Sequence, residues 1–319
     1  MQRRLLNPKI DFVFKKIFGS EENPKILIGF LNAVLKPIIP IVEVEIKNTD
    51  IEKVHVEDKF SRLDVKAKTS NQEIINIEIQ LKIPFSHLVN DIPSLPFQEH
   101  PLLKNEYNMI QRSLYYWSKL YEEQLGDGDR YDKLCRTVCI NILDFKYLKN
   151  DRFHNGYRLK EIETNEELTD IEEIHFIEIP KLKKLNSEEE VVDMLEAWVE
   201  FLRDPESEVV RKLEMSNSEI REAKDKLYKL SMDEKERELY FLREKSIKDE
   251  ISALANAEEK GIQIGIEQGI QQGIQQGIQR EKIETVLRLK SLGLNIEQIA
   301  KGTCITETEV EKIIKENIN

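Results

Sequence analysis

A mixed α/β sheet flanked by helices, followed by an α-helical C-terminal region, is the architecture this sequence predicts. Three observations predict it. The runs 63–69 and 74–80 alternate apolar and polar residues with the period of two that a strand requires. Helical runs precede this pair, and another separates it from two later apolar strands; a helix crossing between strands builds a mixed sheet. From about residue 187 to 260 the pattern is helical throughout.

The elements follow in order. Asn7-Pro8 precedes a helix over about 11–19, and a second helix over about 23–35 stops before Lys36-Pro37. Residues 41–47 form a first strand. In the hairpin, Leu63, Val65, Ala67, Ile75, Ile77 and Ile79 face a core, while Asp64, Lys66, Asn76, Glu78 and Gln80 share the opposite face. A turn from Ser70 to Ile74 sets Asp64 near Gln80 and Lys66 near Glu78, which gathers two carboxylates, an amide and an ammonium group. Residues 83–105 hold Pro84, Pro93, Pro96 and Pro101, a long insertion; His87 and His100 within it form no ligand pattern. Residues 106–125 read as a helix with a stripe of Tyr107, Leu114, Trp117, Leu120 and Tyr121. Residues 135–145 read as a central strand and 174–180 as another.

Beyond these lie two further segments. Gly261, Gly265, Gly269, Gly273 and Gly277 recur every four residues, each followed by isoleucine. Each glycine costs up to about 1 kcal/mol of helix stability, so the segment is either a helix that recovers this cost by packing against another or a spacer. Residues 281–292, 295–300 and 306–315 form short helices, with caps at Asn295 and Thr306, in a helix-turn-helix-like order. Glu307, Glu309 and Glu311 crowd the end that a reading helix would insert in a groove, so packing or dimerisation fits this module better than sequence reading. The expected organisation is a core over 1–186, a helical acidic region over 187–260, the repeat over 261–280 and the small module over 281–319.

Composition narrows the function classes. Three cysteines without CxxC spacing exclude a disulfide framework and a zinc site of that type and imply a reducing compartment. No long apolar run follows the N-terminal arginines and none reaches membrane-spanning length, so the expectation is a cytoplasmic protein without a membrane partner. The net charge of −12 is concentrated in residues 161–260, with 30 Asp and Glu against 16 Lys and Arg. The rest is close to neutral, and residues 101–160 carry 11 basic against 8 acidic side chains. Contact with phosphates is thus compatible with the total charge, with modest and salt-sensitive affinity.

The hairpin's polar face has its own chemistry. Carboxylate oxygens from adjacent strands suit Mg²⁺, which takes oxygen ligands and keeps waters for its substrate. The ordinary alternative is a half-exposed hairpin with a mixed wet face. Asp64 followed by Glu78-Ile79-Gln80 resembles the Asp…Glu-x-Lys signature of the PD-(D/E)XK nucleases. The blocks Lys9-Ile10-Asp11-Phe12-Val13-Phe14-Lys15-Lys16-Ile17-Phe18-Gly19, Phe30-Leu31-Asn32-Ala33-Val34-Leu35, Leu63-Asp64-Val65, Ile77-Glu78-Ile79-Gln80 and Arg112-Ser113-Leu114-Tyr115-Tyr116-Trp117-Ser118 together resemble the Rpn group. These are the recombination-promoting nucleases, also called PD-(D/E)XK nuclease family transposases.

The resemblance implies a restriction-endonuclease-like core and a metal-dependent DNA endonuclease linked to recombination or mobile DNA. Asp64 and Glu78 would bind Mg²⁺, with Mn²⁺ able to substitute. Asp11 would assist as a ligand, or else serve as a helix-terminal charge. Gln80 stands where the wider superfamily has lysine and would position the attacking water through its amide. Lys66 and Lys82 are candidates to supply the missing charge. Arg112 would hold a phosphate, with Tyr116 one turn on and Gln111 a weaker candidate; alternatively Arg112 stacks on Tyr116. The runner-up is a catalytically inactive nuclease fold that binds DNA or protein. A homodimer through residues 233–319 would bring two sites to the two strands of a duplex.

Overall fold

The computed structural model describes residues 4–47, 64–81, 108–183 and 193–317. The chain forms two compact units, Met1–Asp249 and Glu250–Asn319.

In the first unit, α1 (Asp11–Phe18) and α2 (Pro24–Leu35) lead into β1 (Val44–Lys47), β2 (Val65–Thr69) and β3 (Ile74–Gln80). Helix α3 (Met109–Glu122) crosses to β4 (Thr137–Leu143), followed by β5 (His154–Lys160) and β6 (Glu167–Glu178). Helices α4 (Met194–Arg203), α5 (Glu208–Ser216) and α6 (Ser218–Met232) complete the core, and α7 (Glu234–Ser291) begins within it. The six strands form one sheet in the order β1-β2-β3-β4-β6-β5. β4 is parallel to both β3 and β6, and the other pairings are antiparallel. This is the mixed sheet the sequence predicts. The β5–β6 hairpin is not foreseen: β5 is a mostly exposed edge strand of polar residues, and the first half of β6 is as polar, so neither shows the apolar pattern that marks a strand.

Each face of the sheet carries its own core. On one face, Val65, Ala67, Ile75, Ile77 and Ile79 pack with Val138, Ile140 and Ile142 against α1, α2, α4 and α6. Helix α1 offers Val13, Phe14, Ile17 and Phe18, one continuous helical face, and Phe14 stacks on Phe18 at 4.5 Å. Proline at the first position of α2 fixes its start, and left-handed Lys36 ends it. Asn32 then clamps the chain that enters β1: its amide donates to the Ile41 carbonyl and accepts from the Ile41 N–H, both at 2.8 Å. On the opposite face α3 covers Ile74, Cys139, Leu143, Ile174 and Phe176 with Met109, Tyr116 and Leu120. The expected α3 stripe needs correction, because Leu114 is exposed and Tyr116 takes the buried place. The second face of β3 is correspondingly buried rather than wet.

The hairpin register also differs from expectation. Lys66 pairs with Asn76 and Val65 with Ile77, which carries Asp64 opposite Glu78, not Gln80. The turn is the reason. Thr69 already closes onto Glu73, its N–H donating to the Glu73 carbonyl at 3.0 Å. Only Ser70, Asn71 and Gln72 remain in the loop, with Gln72 left-handed at φ 67°, the pattern of a three-residue hairpin loop.

In the second unit the Gly-Ile repeat is helical, as part of α7. The end of α7 packs with α8 (Ile296–Thr303) and α9 (Glu307–Asn317) around Val286, Ile299, Ala300, Val310 and Ile313. Asn295 and Gln298 form a reciprocal capping box at the start of α8. The Thr306 hydroxyl accepts the Glu309 N–H at 3.3 Å. Among the described residues no helix is long and apolar enough to cross a membrane.

Candidate active site

The carboxyl ends of parallel β3 and β4 and the start of β2 lie at one end of the sheet, and the charge of Asp11, the first residue of α1, is felt there at Asp64. β3 is central, so Glu78 is buried at 5 % exposure between its neighbours and α3. Burial raises its carboxyl above the usual range, against the opposing pull of Arg112 and Asn76. Glu78 Oε2 meets the Arg112 guanidinium at 3.2 Å, while Oε1 is buried without a hydrogen-bond partner among the described residues. Asp64 accepts the Ile79 N–H at 2.7 Å. Its pKa is pushed up to about 7, first by burial and then by the charges of Glu78 and Asp11, with the Ile79 N–H and Arg112 opposing.

Helix α3 is held over this end by a chain of buried polar groups. The Ser113 hydroxyl donates to Asn141 Oδ1 at 2.9 Å, and Asn141, beside Glu78 in the β3–β4 ladder, donates to the His175 carbonyl at 3.1 Å. That anchor aims Arg112, one residue before Ser113, at Glu78. The Arg112 guanidinium also lies 5.3 Å from the centre of the Tyr116 ring. The stacking alternative for Arg112 therefore holds, and the same guanidinium also faces the Glu78 carboxylate. Tyr116 itself is buried and supports Arg112 from beneath.

The remaining expected residues fall as follows. Asp11 is the first residue of α1, after Ile10 as its cap, and pairs with Arg243 of α7. Gln80 ends β3, where its carbonyl accepts the Asp144 N–H at 3.0 Å. Lys66 is not brought to the carboxylates: the register sets it beside Asn76, and its ammonium is spent on Glu123 at 2.9 Å. Gln111 is exposed. Lys82, His87, His100 and the 83–105 insertion lie outside the described residues. The sequence reading misses Asn141, Arg243 and the Lys9–Asp144 ion pair at 2.9 Å that flanks Gln80. Only Asn141 left a signal, as an amide inside the apolar run Cys-Ile-Asn-Ile-Leu.

Among the described residues no group of three His, Cys, Asp or Glu gathers as a metal cluster. Two strand carboxylates are nonetheless enough for Mg²⁺, which takes one or two and completes its shell with water. A buried carboxylate oxygen without a donor, beside a second carboxyl raised by burial, is the environment a divalent cation stabilises. The residues fit the ion.

A family model described as PD-(D/E)XK nuclease family transposase matches residues 8–84 and 103–257, which leaves out only the middle of the proline-rich insertion between its two parts. No match was found among curated proteins or solved structures.

Proposed function

We propose that this chain, which belongs to the PD-(D/E)XK nuclease family transposases, is a metal-dependent DNA endonuclease acting on recombining or mobile DNA. The observation that carries the proposal is the placing of Asp64 opposite Glu78 at the β2–β3 end, both carboxyls raised above their usual range by burial and one Glu78 oxygen unpartnered among the described residues. Asp64 and Glu78 would hold Mg²⁺, or Mn²⁺ in its place, with Asp11 assisting. When bound, the ion polarises the scissile phosphate and acidifies a water. Gln80 orients that water by hydrogen bonding and adds no charge. Arg112, stiffened by Tyr116, supplies a fixed cation for the phosphate. Asn141 and Ser113 hold α3, and so Arg112, at its distance from Glu78.

The test is nicking of supercoiled plasmid in Mg²⁺ or Mn²⁺. Asp64→Ala and Glu78→Ala are each expected to lose activity by about 100- to 1000-fold. Equal activity in the parent and both variants would assign the cleavage to a contaminant or to another site.

Assembly is part of the proposal. The second unit leaves Ile266, Ile270, Ile274 and Ile278 half-exposed along α7, beside glycines where an added Cβ would meet no described residue within 4 Å. A glycine row of this spacing lets two helices approach closely, and a second copy of the same helix offers the matching row. The expected result is a dimer held through residues 233–319. Truncation after Lys260 should leave a monomer that nicks but rarely cuts both strands. Light scattering decides this: a monomeric full-length chain, or a dimer that survives truncation, overturns it.

A further inference from the structure

The β5–β6 hairpin plays no part in the candidate active site, and its chemistry is one-sided. Residues 158–173 hold seven acidic side chains against two basic ones. Apolar groups beside them are left to solvent: Tyr157 and Leu159 are each close to half exposed, and Ile162 at the tip almost wholly so. Ile110 and Leu114 of α3, also near half exposed, join Tyr157 and Leu159 around an open groove of about 270 Å³, with Ile174 and Phe176 of β6 beneath.

Glu172 of β6 lines the same groove, on the strand face of Ile174 and Phe176. It is 9 % exposed, and among the described residues it has neither a hydrogen bond nor an ion pair. The strand pairing is the reason. Tyr157 pairs with Ile174 and Leu159 with Thr169, so the four β6 residues 170–173 answer to Arg158 alone. Arg158 is committed to Glu173 and Glu167, which leaves Glu172 no cation. A carboxylate covered by apolar groups and left unpaired costs free energy that an incoming cation recovers.

We propose that this groove, with the outer edge of β5, is a docking site for an extended, basic and apolar segment of a partner protein. It goes beyond the nuclease reading and does not depend on it. Sites for small molecules run to roughly 300–1,000 Å³, whereas this groove suits one or two side chains. β5 is last in the sheet order, so among the described residues no strand lies beyond it. A segment added there gains backbone hydrogen bonds and turns alternate side chains over Tyr157 and Leu159. Glu172 then lies two strand spacings inward, about 10 Å from the added backbone, a span that lysine and arginine bridge and no shorter cation does. The acidic hairpin draws in a segment of that charge.

The probe is a labelled synthetic peptide of leucine and lysine spaced by threonine, which sets both on one strand face, titrated into the full-length chain by fluorescence anisotropy. The parent is expected to bind it, Glu172→Gln about tenfold more weakly and Leu114→Ser about fivefold more weakly. Glu163→Gln removes a charge from the same hairpin outside the groove, and should stay within about twofold of the parent. A peptide with glutamine in place of lysine should bind the parent and Glu172→Gln alike. No binding by the parent, or equal losses for Glu172→Gln and Glu163→Gln, leaves only diffuse attraction and overturns the site. A full-length mass that falls in light scattering on Leu114→Ser, with no peptide present, makes the occupant a second copy and overturns the partner.

Discussion

Asp64→Asn is expected to stabilise the metal-free protein at pH 8 by about 2–4 kcal/mol while abolishing its cleavage of DNA. The Asp64 carboxyl has a folded-state pKa near 7 against an ordinary value of 3.8, because burial and the neighbouring Glu78 and Asp11 charges disfavour ionisation. Below the ordinary value the group is protonated folded and unfolded alike, and it contributes nothing. Between the two values the folded protein keeps a proton that the unfolded chain has lost, so stability falls as pH rises. Above 7 the full cost of a buried carboxylate is present. Asparagine keeps the shape and still accepts the Ile79 N–H, but carries no charge. Its advantage should accordingly be largest at pH 8, smaller at pH 5.5 and absent below pH 4. Urea unfolding in a chelating buffer at these three values measures it. A variant less stable than the parent at pH 8, or a gain that ignores pH, would falsify the assignment of strain to this carboxyl.

Trp198→Ala should cost about 3–5 kcal/mol. Trp198 of α4 is fully buried, with Phe18, Phe30 and Phe201 edge-on at 5.6, 6.2 and 6.2 Å. Gly29 makes room for it, since a Cβ there would meet the indole at 3.3 Å. The indole N–H has no partner among the described residues, so Trp198→Phe should give up packing volume without losing a hydrogen bond. That variant should cost about 1 kcal/mol. Urea midpoints at constant slope separate the two. Equal losses for phenylalanine and alanine would mean that the indole nitrogen, and not the ring volume, matters here.

How legible this was in the sequence varied with the physics. The apolar face of the hairpin was plain, because period-two alternation is a local property of the chain. The site carboxylates were legible as residue types at a spacing. Their register was not, because it depends on the Thr69–Glu73 closure and a left-handed Gln72 that residue identity does not announce. Arg243 lies 232 residues from Asp11, and nothing in a one-dimensional reading joins them. The hairpin of β5 and β6 escaped for a different reason: its stability comes from the neighbouring strand, and its own residues are largely polar.

The three-residue loop between β2 and β3 has a consequence for how this chain tolerates change in length. Two carboxylates on adjacent strands meet only while the count of residues between them is held, since a slip by one turns a strand's side chains to the other face. A single codon gained or lost between Asp64 and Glu78 would thus dismantle the site while every acidic residue survived. On the far side of Glu78 the family match itself is interrupted between residues 84 and 103, outside the span that sets this register. Between the two candidate carboxylates, length is fixed by the register.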